Sequence, residues 1–212
     1  MKALFATVCL TALLALAARP VAANTLAFEV VVNTAPLIGN MAGPFSLDFQ
    51  LNGTGPNSVA ITGFNFGGGR AIGPAVSSGG ASGDLGSGIA LSDASFFFNE
   101  LYEQFTPGNA LSFLVTMTAE VTSTPDLFSF AILNGSLFNI PTTGLGDSLL
   151  LVNITKSTLA LSDVQIFTGA TLPGGPDYSG VTVRALPEPA ALLLLGAGLV
   201  VTARFVRRKS AR

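Results

Sequence analysis

The sequence of 212 residues contains no histidine, no tryptophan and a single cysteine, Cys9. Cys9 lies in an apolar segment near the N-terminus that we expect to be removed, which would leave the remaining chain without any cysteine. Disulfide bonds, zinc sites built from cysteine or histidine, and nucleophilic triads that need a histidine base are therefore excluded.

Positive charge is scarce between Asn24 and Pro189. That region holds three basic residues (Arg70, Lys156 and Arg184) against twelve acidic ones, for a net charge of −9. Nucleic-acid binding needs a basic surface, so we predict no nucleic-acid partner. The acidity favours solubility, or the binding of cations or basic partners.

The N-terminus has the pattern of a secretory signal peptide over residues 1–23. Lys2 gives a basic start, an apolar run extends from Ala3 to Ala18, and Val21 and Ala23 place small residues at the usual cleavage spacing. A membrane anchor is the alternative, but the run is shorter than the roughly 20 residues that a spanning helix needs. We therefore predict export through the Sec translocon and cleavage by signal peptidase after Ala23.

The C-terminus, residues 186–212, has three parts in a fixed order. A Pro-Glu-Pro motif at 187–189 is followed by an uncharged apolar segment and then by a basic end, residues 204–212. From Ala190 to Ala203 a helix would span only about 21 Å, against about 30 Å of hydrocarbon, and extending it to Val206 gives about 25 Å. We predict a marginal transmembrane helix over 190–206, with the basic end in the cytoplasm.

This three-part tail closely resembles the PEP-CTERM sorting signal of Gram-negative bacteria. The resemblance implies that Pro187, Glu188 and Pro189 are recognised by an exosortase, a membrane transpeptidase or protease that cuts near the motif. The two prolines prevent helix initiation and keep the peptide extended, which suits recognition by a processing enzyme. The resemblance also implies transient retention in the inner membrane and association with exopolysaccharide and biofilm. A permanent single-span anchor is the alternative.

Between Thr25 and Arg184 apolar and polar residues alternate, which predicts short strands separated by Gly, Pro and Asn. The predicted strands are residues 26–32, 45–51, 59–66, 111–121, 127–133, 149–154, 158–167 and 181–184. Many alternating strands without long amphipathic helices predict a mainly β domain over 24–185. We expect a single antiparallel β-sandwich of jelly-roll type, flanked by the signal helix and the C-terminal transmembrane helix.

Two segments are ambiguous. Residues 92–105 could form a short helix, since Phe97, Leu101 and Phe105 are four apart, but three successive phenylalanines favour one or two buried strands. Residues 66–88 are rich in glycine and serine, and we predict one or two long loops there.

Few residues are candidates for a site. Asp84, in the glycine-rich stretch, is a candidate calcium ligand, with a solvated loop as the alternative. Glu100 and Glu103 would share a face of a helix, as a glycosidase pair could, but they point to opposite faces of a strand and are then explained as surface carboxylates. Asp48 lies on the polar face of its strand, where we expect solvent. Ser87 lies between two glycines but has no histidine base, so we predict no catalytic residue.

Residues 43–53 are similar to a stretch shared by small all-β PEP-CTERM proteins of unknown function, which typically reads glycine, a spacer and Leu-Asp-Phe-Gln-Phe-Asn. The resemblance implies one β domain with a sorting tail and no assigned activity. We therefore expect a non-enzymatic protein of the cell surface or extracellular matrix. A carbohydrate-binding module or a hydrolase on a jelly-roll scaffold is the alternative. A sugar-binding module should expose a row of aromatic side chains, but the only two tyrosines are Tyr102 and Tyr178, and the sixteen phenylalanines have the pattern of a core.

Overall fold

The computed structural model describes residues 25–121, 124–169 and 180–186. The predicted signal peptide with Val21 and Ala23, the motif at 187–189, the apolar segment that follows it, and Tyr178 all lie outside these residues. Within the described ranges, no helix has the length and apolar character needed to cross a membrane.

The described residues form thirteen strands, numbered in chain order. They are β1 Thr25–Asn33, β2 Phe45–Asn52, β3 Ser58–Asn65, β4 Arg70–Ala71, β5 Val76–Ser78, β6 Ala81–Asp84, β7 Gly88–Ser92, β8 Phe98–Thr106, β9 Ala110–Thr118, β10 Asp126–Leu133, β11 Leu150–Ile154, β12 Val164–Ile166 and β13 Val181–Ala185. Three single-turn 3-10 helices accompany them, at Ala35–Leu37, Leu145–Asp147 and Leu161–Asp163.

The strands assemble into two sheets. The first has the order β13-β1-β9-β3-β7-β6, and the second has the order β12-β11-β10-β2-β8-β4, with β5 also paired to β8. All of these pairings are antiparallel. The prediction of a mainly β, antiparallel domain is confirmed.

A group of phenylalanine rings joins the two sheets. Phe113 of β9 packs edge-on against Phe49 of β2 and Phe130 of β10, with ring centroids 5.4 Å and 5.1 Å away. Phe49 and Phe130 stack on each other at 5.0 Å. All three side chains are buried, and the sheets therefore pack face to face as in a β-sandwich.

The glycine-rich stretch differs from its prediction as loop, because it contributes β4, β5 and β6. These strands are short, and β4 and β5 pair with β8 at the sheet edge. Glycine permits this close approach. A Cβ at Gly69 would lie 1.9 Å from the carbonyl oxygen of Thr106, and one at Gly79, where φ is +64°, would lie 2.2 Å from that of Phe98. The glycine and serine content of this segment predicted a flexible loop, but its backbone pairs with β7 and β8 and is therefore strand.

Residues 92–105 contain no helix, in agreement with the preferred prediction: Ser92 ends β7, residues 93–97 form a loop, and Phe98 begins β8. The expectation that the three phenylalanines are buried is wrong. Phe96, Phe97 and Phe98 are 56%, 60% and 45% exposed. Phe96 and Phe97 precede β8, and Phe98 lies on its outer face, since alternation turns Asn99 and Leu101 inward.

The predicted strand at 158–167 is largely replaced by a turn of helix, and only Val164–Ile166 pairs as β12. Asp163 explains the difference. Its carboxylate accepts the Ala160 N–H at 2.8 Å and lies 2.8 Å from the Lys156 ammonium, so local hydrogen bonds compete with strand pairing.

Replacing Phe130 with alanine should destabilise the domain by about 3–5 kcal/mol, because the cavity would open at the contact between the sheets. Phe97→Ala is the matched control and should change the free energy of unfolding by less than about 0.5 kcal/mol, since that ring faces solvent. Urea unfolding followed by circular dichroism measures both. Equal losses from the two variants would contradict the assignment of core and surface.

Candidate functional site

Asp84, the candidate calcium ligand, closes the turn between β6 and β7. One oxygen of its carboxylate accepts the backbone N–H groups of Ser87 at 2.7 Å and Gly86 at 2.8 Å. Hydrogen bonds from Ser87 and then from Gly86 lower the pKa of Asp84. In the described part of the chain no three acidic, histidine or cysteine side chains gather as a metal site would require. The two hydrogen bonds within the turn explain the presence of an aspartate at position 84, and calcium binding by Asp84 stays a prediction.

Glu100 and Glu103 point to opposite faces of β8, as the strand interpretation predicts. Glu100 lies on the outer face. Glu103 points inward, on the same face as the buried Leu101, and its carboxylate accepts the Leu85 N–H at 2.7 Å. The interpretation of Glu103 as a surface carboxylate is therefore wrong, because a loop covers this end of the interior and supplies a backbone donor.

Asp48 was expected to face solvent, and the structure corrects this: its side chain is only 3% exposed. Alternation places it on the outer face of β2, yet β2 is a central strand and that face is buried at Ser46 as well. The alternating pattern identifies the face of a strand but carries no information about what covers it.

A carboxyl pair bridged by an amide lies on this outer face. The Gln50 side-chain NH₂ donates to Asp48 at 2.8 Å and to Glu100 at 3.0 Å. Burial first, and then the charge of Glu100, raise the pKa of Asp48 to about 7, against the opposing effect of Gln50. Burial also raises the pKa of Glu100. A perturbed carboxyl pair is a common feature of active sites, but Asp48 is closed to a polymeric substrate in this conformation.

The stability of the fold should therefore fall as the pH rises from about 4 to about 7. Asp48 ionises near 3.8 in the unfolded chain and near 7 in the folded one, so the folded state holds the proton more tightly across this range. Asp48→Asn keeps the shape and the contact with Gln50 but cannot ionise, so its stability should vary less with pH.

Urea midpoints measured from acidic to neutral pH test this expectation. Asp84→Asn is the control, because the pKa of Asp84 is lowered and its ionisation lies below this range. A wild-type pH slope that Asp48→Asn leaves unchanged would assign the effect to another carboxyl.

Among the described residues the exposed aromatic side chains are phenylalanines, and Tyr178, one of the two tyrosines named above, lies outside this part of the chain. Tyr102 is partly buried, opposite Asp48 in the register of β2 and β8. The loop of Phe96–Phe98, which leads from β7 into the first residue of β8, is held by two hydrogen bonds to its backbone. The Asn99 side chain donates to the carbonyl of Phe96 at 2.9 Å, and the Gly53 N–H donates to the carbonyl of Phe97 at 2.9 Å. The sequence contained one indication of this exposure: three successive phenylalanines in a single strand, as predicted, could not all have pointed inward.

A second set of exposed apolar side chains lies in three other loops. They are Ile38, Met41, Leu137, Phe138 and Leu145. The loops are connected by hydrogen bonds: the Gly135 N–H donates to Ala42 at 2.8 Å, and the Asn139 side chain donates to Gly146 at 2.6 Å. This surface is mainly aliphatic and contains a single aromatic ring, so it lacks the run of ring faces that the loop of Phe96–Phe98 presents.

Comparison of the chain with protein-family models, with curated proteins and with solved structures finds no match.

Proposed function

We propose that this chain is an exported, non-enzymatic protein of the cell surface or extracellular matrix, whose β domain binds a matrix component. The proposed export and surface sorting of the chain rest on the sequence of its two ends, with residues 1–23 as the signal peptide and 186–212 as the sorting tail. The observation that carries the binding role is the exposed run Phe96–Phe98, because contiguous exposed apolar surface on an acidic protein is characteristic of a contact site.

The scaffold is of jelly-roll type in this proposal. The chain passes from one sheet to the other between β1 and β2, between β2 and β3, and again on either side of β8. As a result β1-β9-β3-β7 lie side by side in one sheet, and β2 and β8 are neighbours in the other. Interleaved strands of this kind are the pattern of double-sheet jelly rolls, which lectins and other binding domains use. Because the scaffold hosts many functions, the loops must carry the specificity.

The tail acts in this proposal as a temporary anchor. Its apolar segment is marginal for spanning, its basic end holds the C-terminus in the cytoplasm, and the extended Pro-Glu-Pro presents a site to an exosortase at the outer surface of the inner membrane. Cutting near Pro187, Glu188 and Pro189 would release the β domain to the cell surface or to the exopolysaccharide.

Mass spectrometry of the secreted protein should show that both ends are processed. The mature N-terminus should follow Ala23, and the basic end up to Arg212 should be missing. Replacing Pro187, Glu188 and Pro189 with alanine should keep the chain in the inner membrane with its tail intact, because the extended recognition peptide is lost. Glu120→Ala is the control and should be processed normally. Arg212 present on the secreted wild-type protein would contradict the sorting proposal.

A carbohydrate-binding module is the second candidate, and the exposed phenylalanine loop is the observation that favours it. Aromatic ring faces pack against the apolar faces of sugar rings, and the backbone hydrogen bonds from Asn99 and Gly53 keep these rings presented at low entropic cost.

Exopolysaccharide from the producing cells is the appropriate probe, with binding measured by co-sedimentation and by glycan array. Changing Phe96, Phe97 and Phe98 together to alanine should weaken binding by at least about tenfold, since each ring contact contributes about 0.5–1.5 kcal/mol. Phe138→Ala, which removes a ring that is 70% exposed in another loop, should leave binding unchanged. New reducing ends that disappear in Asp48→Asn would instead favour the hydrolase interpretation.

A further inference from the structure

Three buried polar side chains from different parts of the chain meet near the loop of Phe96–Phe98. Asn57 directly precedes β3, Asp93 directly follows β7, and Asp126 is the first residue of β10. Their exposed fractions are 0%, 3% and 1%. Asn57 connects the two acids, because its backbone N–H donates to Asp93 at 2.7 Å and its side-chain NH₂ donates to Asp126 at 2.5 Å.

The two carboxylates are held at fixed orientations. Asp126 also accepts the Thr54 N–H at 3.0 Å, and a Cβ at Gly53 would lie 2.0 Å from the same carboxylate oxygen, so only glycine admits Asp126 there. The Asn57 side-chain oxygen accepts the N–H of Glu120 at 2.7 Å, which fixes the amide itself. This is an organised arrangement rather than a chance meeting of surface acids.

No basic side chain among the described residues pairs with either carboxylate of this cluster. Asp93 Oδ2 is buried and accepts no hydrogen bond. Its close neighbour is another carboxyl group, that of Asp126, which lies within hydrogen-bonding distance of the Asp93 carboxyl. All the donors named above are neutral amides, and the ion pair found in the described ranges is the distant Lys156–Asp163. Two carboxyl groups therefore lie side by side in a buried place, where negative charge is costly without a positive charge nearby.

We propose that Asp93 and Asp126 bind a calcium ion through Asp93 Oδ2 and the carboxylate of Asp126. Calcium prefers carboxylate oxygens, accepts irregular geometry and completes its six to eight ligands with backbone carbonyls and water. Asn57 would serve as an outer-shell residue, since its hydrogen bonds orient both carboxylates. Two carboxylate ligands favour the weak affinity of extracellular modules, with a Kd of about 0.1–1 mM.

The ion would also stabilise the phenylalanine loop, because Asp93 is the residue at which that loop begins. The backbone link from Gly53 to Phe97 ties the far side of the loop to the strand end that contacts Asp126. Calcium would thus connect the segments of Asp93 and Asp126 at the base of the exposed rings, with Asn57 hydrogen-bonded to both. The site itself does not depend on what those rings bind.

Thermal unfolding of the exported protein, first stripped with EDTA, tests the site at neutral pH. Calcium at about ten times its Kd should raise Tm by about 3–6 °C. Sodium chloride at equal ionic strength should not. Asp93→Asn and Asp126→Asn should lose this rise, whereas Asp163→Asn, which changes a carboxylate paired with Lys156, should keep it. Isothermal titration with calcium should detect this site in the wild type and in Asp163→Asn, and not in Asp93→Asn or Asp126→Asn.

A wild-type Tm that does not respond to calcium would overturn the proposal, and so would a rise that Asp93→Asn retains in full. If the pair instead shares a proton, Asp93→Asn should be more stable than the stripped wild type at neutral pH, with no calcium response in either protein. If Asp126→Asn does not fold, Asp93→Asn and the calcium titration still test the proposal. Asp93→Asn should fold, because the amide oxygen at position 93 can still accept the Asn57 N–H.

Discussion

The packing of Phe49, Phe113 and Phe130 between the two sheets is the contact on which the rest of the domain depends. Side chains alternate along a strand, so holding these rings inward also determines which residues face outward. Asp48 is directed to the outer face of β2 because its neighbour Phe49 points inward. A slip of one residue would exchange the two and place the Asp48 carboxyl among the phenylalanine rings, a costly environment for a polar group.

The shortage of basic side chains determines how this protein balances its acidic side chains. Asp163 pairs with Lys156, but the other acids in question use backbone N–H groups, amides or protons. Asp84 is satisfied by its own turn, and Glu103 by the Leu85 N–H. Asp48 relies on Gln50 and on a raised pKa. Asp48 and Asp93 each keep one buried oxygen without a hydrogen-bond partner. Asp93 differs because its acidic neighbour, Asp126, is buried as well, whereas Glu100, the neighbour of Asp48, is partly exposed.

The exposed phenylalanine rings and the buried framework lie in separate parts of this domain. The strands supply a rigid interior, and the exposed rings lie where β7 is connected to β8, with their backbone tied by Asn99 and Gly53. A loop held in this way presents apolar surface that would lose little entropy on binding, which suits the proposed binding role. The acidic composition keeps such a surface soluble.

The features that could be predicted from the sequence alone are local. Alternation over 45–51 and 127–133 identified strands and their inward faces, and the spacing of Glu100 and Glu103 predicted that a strand would separate them. Tertiary structure decided the burial of Asp48, the pairing of glycine-rich segments with β8, the exposure of Phe96–Phe98 and the meeting of Asp93 with Asp126. The physical reason is that alternation acts between adjacent residues, whereas burial and site formation depend on which distant strands become neighbours and in what register.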